Sequence, residues 1–356
     1  MRITLKEVAS RAKVSYQTVS KVINGQAQVS KETEERIWQV VKELGYRPNY
    51  TARSLRANRS FTIGYSWNPT PLGKPSPVLD QLLQSMLQAA AQFGYYLLSF
   101  PVETATCDQV CMYQELIYTG RVDGFILSAV EYEDPRIKFL LSHAFPFVAF
   151  GRSSAGLNFP YIDVDGGMGL RLATDHFLEQ GHRKIAVLGW PETSRVGNNR
   201  IEGYFQALRD AGLKPNLAWI ARGEGTYEFG YQATDAWMTG LQQSRPTAIV
   251  ALNDSMAIGA MHAIQAHGME VGKEIGVSGF DSNPYVEYLT PPLTTVAQPA
   301  WEVGQQVIGR LAKGLNENTL PEPSGTLLSP SLIVRQSSQL QTVPENFRPI
   351  GESRFA

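Results

Sequence analysis

The sequence predicts an α/β protein carrying a small all-helical head, and three observations support this. From Phe61 onward short β-rich runs alternate with segments of mostly 12–18 residues that have helical periodicity, the pattern of parallel sheets covered by helices. Before Phe61 the apolar residues fall at helical spacing in three short segments. The charge changes sign at the same place. Residues 1–60 hold 12 Lys/Arg against five Asp/Glu, a balance of +7, while the remainder holds 20 against 28, a balance of −8. A basic head on an acidic body either meets a polyanion or simply presents a solvated basic surface.

The 356 residues suffice for two or three domains at roughly 100–200 residues each. With 43% hydrophobic and 18% charged residues the composition is that of a globular protein. No apolar stretch approaches the ~18 residues of a membrane span. The start, Met1 to Glu7, lacks an apolar signal core and carries an acid early, so a cytoplasmic location is expected. Cys107 and Cys111 form a lone C-x3-C pair, a poor zinc or disulfide signal, and two reduced thiols are expected.

The head reads element by element. Thr4-Leu5-Lys6-Glu7 fits a capping box, followed by Leu5, Val8, Ala9 and Ala12 on one face. Ser15 can cap a second helix, Tyr16 to Val22, with Val19, Val22 and Ile23 inward. A third starts at Ser30, with Ile37, Val40, Val41 and Leu44 as its stripe and Gly45 at its C-terminal cap. Two short helices joined by a tight turn and braced by a third make a helix-turn-helix. Its outward residues are Tyr16, Gln17, Ser20 and Lys21. Gln can bind adenine at two points, Lys can bind guanine, and Tyr offers a hydroxyl and an apolar ring. Thr4, Ser15, Asn24, Ser30 and Thr33 suit phosphate oxygens. The alternative is a three-helix protein-interaction module.

The segment Leu5 to Asn24, with Val-Ser-Tyr-Gln-Thr-Val-Ser-Lys-Val-Ile-Asn-Gly at 14–25, resembles the DNA-binding head of the lactose/galactose repressor (LacI-type) family, as does Glu43-Leu44-Gly45-Tyr46-Arg47-Pro48-Asn49. The likeness runs to about Gln336. It implies that Tyr16, Gln17 and Lys21 read bases. Lys21 departs from the arginine common in the family, keeping a guanine contact without the bidentate fork. The basic segment Asn49 to Asn58 reads either as a flexible linker or, by the resemblance, as a hinge helix that folds when paired with its dimer mate in the minor groove, with Leu55 wedged between base pairs. Tyr46, Asn49, Ala52 and Arg53 join Leu55 among the expected DNA contacts.

The strand-like runs of the body are Phe61–Trp67, Tyr95–Phe100, Gly124–Val130, Phe147–Gly151, Tyr161–Val164, Lys184–Trp190, Trp219–Gly223, Thr247–Asn253, Ile275–Phe280 and Thr294–Val296. A body of this length is expected to split in two. The resemblance implies two doubly wound parallel-sheet lobes like those of a periplasmic sugar-binding protein. The expected division is a head at 1–47, a hinge at 48–60, a body at 61–340 and a tail at 341–356. Within the body the N-lobe takes about 61–164 and 297–323, the C-lobe 165–296 and 324–340.

No catalytic set is found: there is no G-x-G-x-x-G after a strand, no P-loop, no H-E-x-x-H, and Gly276-Val277-Ser278-Gly279 lacks the spacing of a nucleophile elbow. No enzyme, cofactor or metal is expected. Open α/β sheets bind ligands at the C-terminal ends of their strands, and polar residues collect there: Trp67 and Asn68, Arg152, Asn253 and Asp254, Asp281, and Gln298, with Arg200 near a helix start. Carboxylates and amides accept from vicinal hydroxyls, Arg donates, and an aromatic ring stacks on a sugar face. By the resemblance Arg200, Asn253 and Asp281 contact an effector. Asp254 and Asp281 can equally cap following segments, Trp67 can equally belong to the core, and Arg152 sits where a carboxylate is expected. The tail lacks leucine heptads, which argues against a tetramerising coiled coil. The helical pattern Val78 to Phe93 is either a dimer element or packed on its own sheet. These readings together expect a homodimeric, allosteric transcription regulator in the cytoplasm. It binds a pseudo-palindromic duplex operator and acts as a repressor controlled by a sugar or glycoside. The alternatives are a nucleobase or nucleoside corepressor, or a solute-binding protein.

Overall fold

The structure, a computed structural model, describes residues 3–23, 29–46, 57–67, 77–102, 108–154 and 156–339. Asn24, Asn49, Ala52, Arg53, Leu55 and Asn68 lie outside the described residues, as do most of the expected hinge and the tail. The chain divides into two compact units, Met1–Phe61 and Thr62–Ala356.

The first unit holds α1 (Leu5–Ala12), α2 (Tyr16–Ile23) and α3 (Lys31–Leu44). Thr4 accepts from the Glu7 backbone while the Glu7 carboxylate takes the Thr4 N–H at 2.6 Å, closing the capping box. Lys13 ends α1 in the left-handed region, and the turn to α2 is fixed where the Thr18 N–H donates to Ser15 Oγ at 3.0 Å. Ser30 caps α3, and Gly45, at φ 61°, ends it. Val8, Ala12, Val19, Val22, Ile37 and Val40 form the core, which no one helix could bury alone.

The second unit contains two six-stranded sheets. The chain first lays down β1 (Thr62–Trp67), α4 (Pro77–Gln92), β2 (Tyr96–Pro101), α5 (Cys111–Tyr118), β3 (Gly124–Leu127), α6 (Pro135–Ser142), β4 (Phe147–Phe150) and β5 (Tyr161–Val164). It then crosses to α7 (Gly166–Glu179), β6 (Ile185–Gly189), α8 (Arg195–Asp210), β7 (Ile220–Arg222), α9 (Tyr227–Thr239), β8 (Ala248–Ala251), α10 (Asp254–Ala266), β9 (Gly276–Asp281) and β10 (Thr294–Ala297). It returns through α11 (Ala300–Glu317) and β11 (Gly325–Leu328), then ends on β12 (Ser331–Ile333). The first sheet runs β11-β5-β4-β3-β1-β2 and is parallel throughout; the second runs β12-β10-β9-β8-β6-β7, with only β12 antiparallel. The central strands read as unbroken apolar runs because helices cover both faces: β3, β6 and β8 are buried at every position.

Two expectations are corrected. Residues 324–328 do not belong with the second lobe: β11 pairs in parallel with β5, Gly325 opposite Tyr161, so the third crossing falls between Leu328 and Ser331. As a partly exposed edge strand, β11 carries no buried apolar run to announce it. Cys111 opens α5 and is disulfide-bonded, not a reduced thiol. Cys107, the other cysteine of the sequence, lies outside the described residues. The helix α4 uses Leu82, Met86, Ala89 and Ala90 for its own core and packs on α11, where Ser85 donates to the Trp301 carbonyl; Leu87 stays exposed.

Helices of the second lobe touch backbone to backbone. A methyl group on Gly203 of α8 would stand 1.9 Å from the Gly167 carbonyl oxygen of α7. Gly230 of α9 and Gly259 of α10 meet reciprocally, each 2.2 Å from a carbonyl of the other helix by the same measure. Only glycine permits such crossings.

Candidate functional site

On the head, Val19 and Val22 anchor α2 inward, which turns Tyr16, Gln17 and Lys21 to the surface; Tyr16 is 45% exposed, high for an aromatic ring without a partner surface. Ser20 is half-buried. Thr4, Ser15 and Ser30 are exposed but already serve as caps, and Thr33 shares its hydroxyl with Ser30 at 2.9 Å. Tyr46 is corrected: its ring is buried among the head's core residues, because the chain leaving Gly45 turns back over α3.

In the body the strand ends of both sheets open on one cleft of about 840 Å³. Arg200, Asn253, Asp281 and Gln298 all line it, drawn from α8, the end of β8, the end of β9 and the crossing after β10. Arg200, 5% exposed, forms an ion pair with Asp281 at 3.5 Å, and its guanidinium lies over Phe280, 3.8 Å from the ring centroid, and beside Trp190. Burial pulls Arg200 down from its ordinary pKa and pushes Asp281 up, and each opposes the other's shift. Gln298 donates to Asp281 at 2.7 Å. Asp281 and Ser282 stand at φ 107° and 52°, a strained turn that aims the carboxylate into the cleft. Asn253 caps α10 through Oδ1 and donates through Nδ2 to the Gly225 carbonyl at 2.8 Å. A side chain at 225 would strike Asn253 and the Trp190 indole N–H, which is why glycine stands there.

Two expected residues fall elsewhere, and the side chains of two more lie outside what the structure describes. Asp254 is corrected: it does not line the cleft, because it is the first residue within α10 and points under the cleft floor. It is fully buried, accepting from the Asn283 N–H and the Thr295 hydroxyl, and burial pushes it up to about 7. Arg152 is likewise corrected: it is turned back onto Asp163 at 2.7 Å and Asn199 at 3.0 Å and acts behind the lining. Trp67 ends β1 opposite Pro101, and its side chain, like all of Asn68, lies outside the described residues.

Sequence reading missed several lining residues. Asp163, at the end of β5, also holds Arg195 at 3.2 Å. Glu131 reaches across from the first lobe to take the Arg195 backbone N–H at 2.7 Å, and Tyr132 receives Asn198 at 3.3 Å. The signal for Asp163 was a lone acid inside an apolar strand. Trp190, Tyr227 and Tyr285 supply aromatic surface. The indole N–H of Trp190 and the Nε–H groups of Arg195 and Arg200 are buried without a hydrogen-bond partner among the described residues. Such donors await acceptors. No metal-holding cluster occurs among the described residues, and none of their helices is long and apolar enough to cross a membrane.

Comparison with known proteins agrees with this geometry. Residues 4–49 match the family described as bacterial regulatory proteins, lacI family, and residues 174–338 match a periplasmic binding protein-like domain. The HTH-type transcriptional repressor PurR of Escherichia coli O139:H28 is 31% identical over 94% of this chain and 96% of its own length. A regulatory protein of the LacI family from Chloroflexus aggregans is 46% identical, covering 79% of this chain and 99% of its own, with a TM-score of 0.74. The Lac repressor dimer bound to operator and the anti-inducer ONPF is 28% identical over 95% of this chain and 100% of its own, with a TM-score of 0.80. A CelR–cellobiose complex is 29% identical over 94% of this chain and 100% of its own, with a TM-score of 0.69. With a helix-turn-helix head, two doubly wound lobes and full-length relatives, the chain belongs to the LacI family of bacterial regulatory proteins and is a DNA-binding transcription regulator.

Proposed function

We propose that this regulator is a cytoplasmic, homodimeric repressor, with no enzymatic activity, that responds to a sugar or glycoside held between the lobes. One observation carries the reading. The cleft mixes unpartnered buried donors with carboxylate and amide acceptors beside Trp190 and Tyr285, the set that takes hydroxyls and a C–H face together. Its volume of about 840 Å³ has room for a disaccharide. The cellobiose seen in the CelR complex is consistent with that size class. Arg200, Asn253, Asp281 and Gln298 are the residues proposed to contact it.

On the DNA side, Tyr16, Gln17 and Lys21 read base edges, the caps of the head's helices face phosphates, and Leu55 wedges the minor groove of a pseudo-palindromic operator. Ligand closing on both lobes alters their angle and hence the spacing of the paired hinges, which couples the two sites. A thermal-shift screen of mono- and disaccharides tests the ligand class; a set in which none raises the melting temperature overturns it. Operator binding that falls steeply with salt, and drops specifically in Leu55→Ala while random-duplex binding persists, tests the DNA side. Equal loss of both refutes the wedge.

A further inference from the structure

The first turn of α8 has the makings of an anion site. Ser194 caps the Gly197 N–H at 3.2 Å but leaves the Arg195 N–H outside the helix's own bonds, and the Arg195 side chain stands there only 7% exposed with an Nε–H that has no partner among the described residues. Arg200 follows little more than one turn later. The protein fills this position itself: Glu131, from the opposite lobe, places Oε2 2.7 Å from the Arg195 N–H. The loop presenting Glu131 is built to hold it. Ala129 and Glu133 take left-handed φ values of 50° and 52°. Ser153 donates to the Glu131 carbonyl at 2.8 Å and Ser154 receives the Glu133 N–H at 2.9 Å. Beneath, buried Arg136 donates to the Ser128 and Ala129 carbonyls at 3.1 Å each, its charge met by Asp134 at 2.6 Å.

The remaining charges follow the same logic. Arg152 and Arg195 share Asp163, and Asp281 pairs with Arg200, which leaves one positive charge for Glu131 to meet. Glu224 and Glu228 add two more carboxylates to the lining, and no lysine joins it. We infer that Glu131 is a specificity residue that occupies the anion position at the head of α8, so that the cleft admits uncharged ligands and rejects their phosphorylated or carboxylated counterparts. The inference rests on reading the cleft as the effector site, but its test needs no effector.

Full-length protein, Glu131→Ala and Glu131→Gln are titrated with inorganic phosphate at constant ionic strength, followed by calorimetry and melting temperature. The wild type is expected to show no saturable binding. Glu131→Ala is expected to bind phosphate saturably, with a Kd at least about tenfold below the highest concentration at which the wild type shows none, a factor equal to roughly 1.4 kcal/mol. That gain disappears when Arg195→Met is added. Glu131→Gln keeps an acceptor for the Arg195 N–H and loses only the charge, so it shows a smaller gain with the fold intact. If both variants, folded as the wild type by circular dichroism, bind phosphate no better than it does, the inference fails. Saturable binding by the wild type that Arg195→Met abolishes also overturns it. Failure of every sugar to bind leaves this result untouched, so the two readings fall separately.

Discussion

Replacing Asp254 with asparagine should make the protein more stable above neutral pH and leave it nearly unchanged in acid. The carboxyl is fully buried, and burial lifts it to about 7 from its ordinary 3.8, against the opposing help of the Thr295 hydroxyl and the Asn283 N–H. The gap of about three units at ~1.4 kcal/mol each sets a ceiling of roughly 4 kcal/mol. The sign follows from proton binding. Because the folded value is raised, the native state holds a proton that the unfolded chain has released between about pH 4 and 7. Stability is therefore lost as pH rises through that window, and the full cost is felt above pH 7. Asparagine still accepts the Asn283 N–H and does not titrate. Urea unfolding of both proteins from pH 5 to pH 8 should show their stability difference widening by about 2–3 kcal/mol in favour of Asp254→Asn. A constant difference across that range, or a variant weaker at pH 8, would refute the reasoning.

Three other substitutions probe other levels of the molecule. Arg200→Ala should cost at least roughly tenfold in affinity for any sugar found to bind, since a charge-assisted bond worth about 1.5–3 kcal/mol is lost, and should erase the ligand's thermal shift; a preserved shift would mean the ligand lies elsewhere. Gly203→Ala should lower the urea midpoint by an amount equal to about 2 kcal/mol, because its methyl group strikes the Gly167 carbonyl and overpacking outweighs the helix propensity gained. Lys21→Ala should reduce discrimination between operator and random duplex by about 1–3 kcal/mol in competition binding, with little change in head helicity because Lys21 is exposed.

Most of the fold was legible because its determinants are local. The ten runs that read as strands are strands, and the eight that lie inside their sheets need largely apolar segments whatever their neighbours. The two not foreseen, β11 and β12, have only exposed and half-buried positions, so neither carries an unbroken apolar run. The cleft was half legible. Asn253, Asp281 and Gln298 line the cleft where strand C-termini gather polar residues, and Arg200, expected from the resemblance, joins them from α8. Glu131, Asp163 and Arg195 were not legible, because their meaning depends on which lobe faces which. Asn253 and Asp254 show the limit most sharply. They are adjacent and both suited to capping, yet one residue's rotation about the helix start sends the amide into the cleft and the acid beneath it.

The returning path of the chain has a consequence for biosynthesis. The first lobe is closed on one side by α11 and β11, which follow the whole of the second lobe in sequence. The lobe that begins first thus cannot be completed until the ribosome has passed Leu328, and the second lobe waits for β12 only a few residues later. The head, whose core is made entirely of residues before position 47, has no such dependence. Nascent chains should therefore carry a finished head well before a finished body. Any stop before β11 would leave a folded head on a body that lacks one edge strand of each of its sheets.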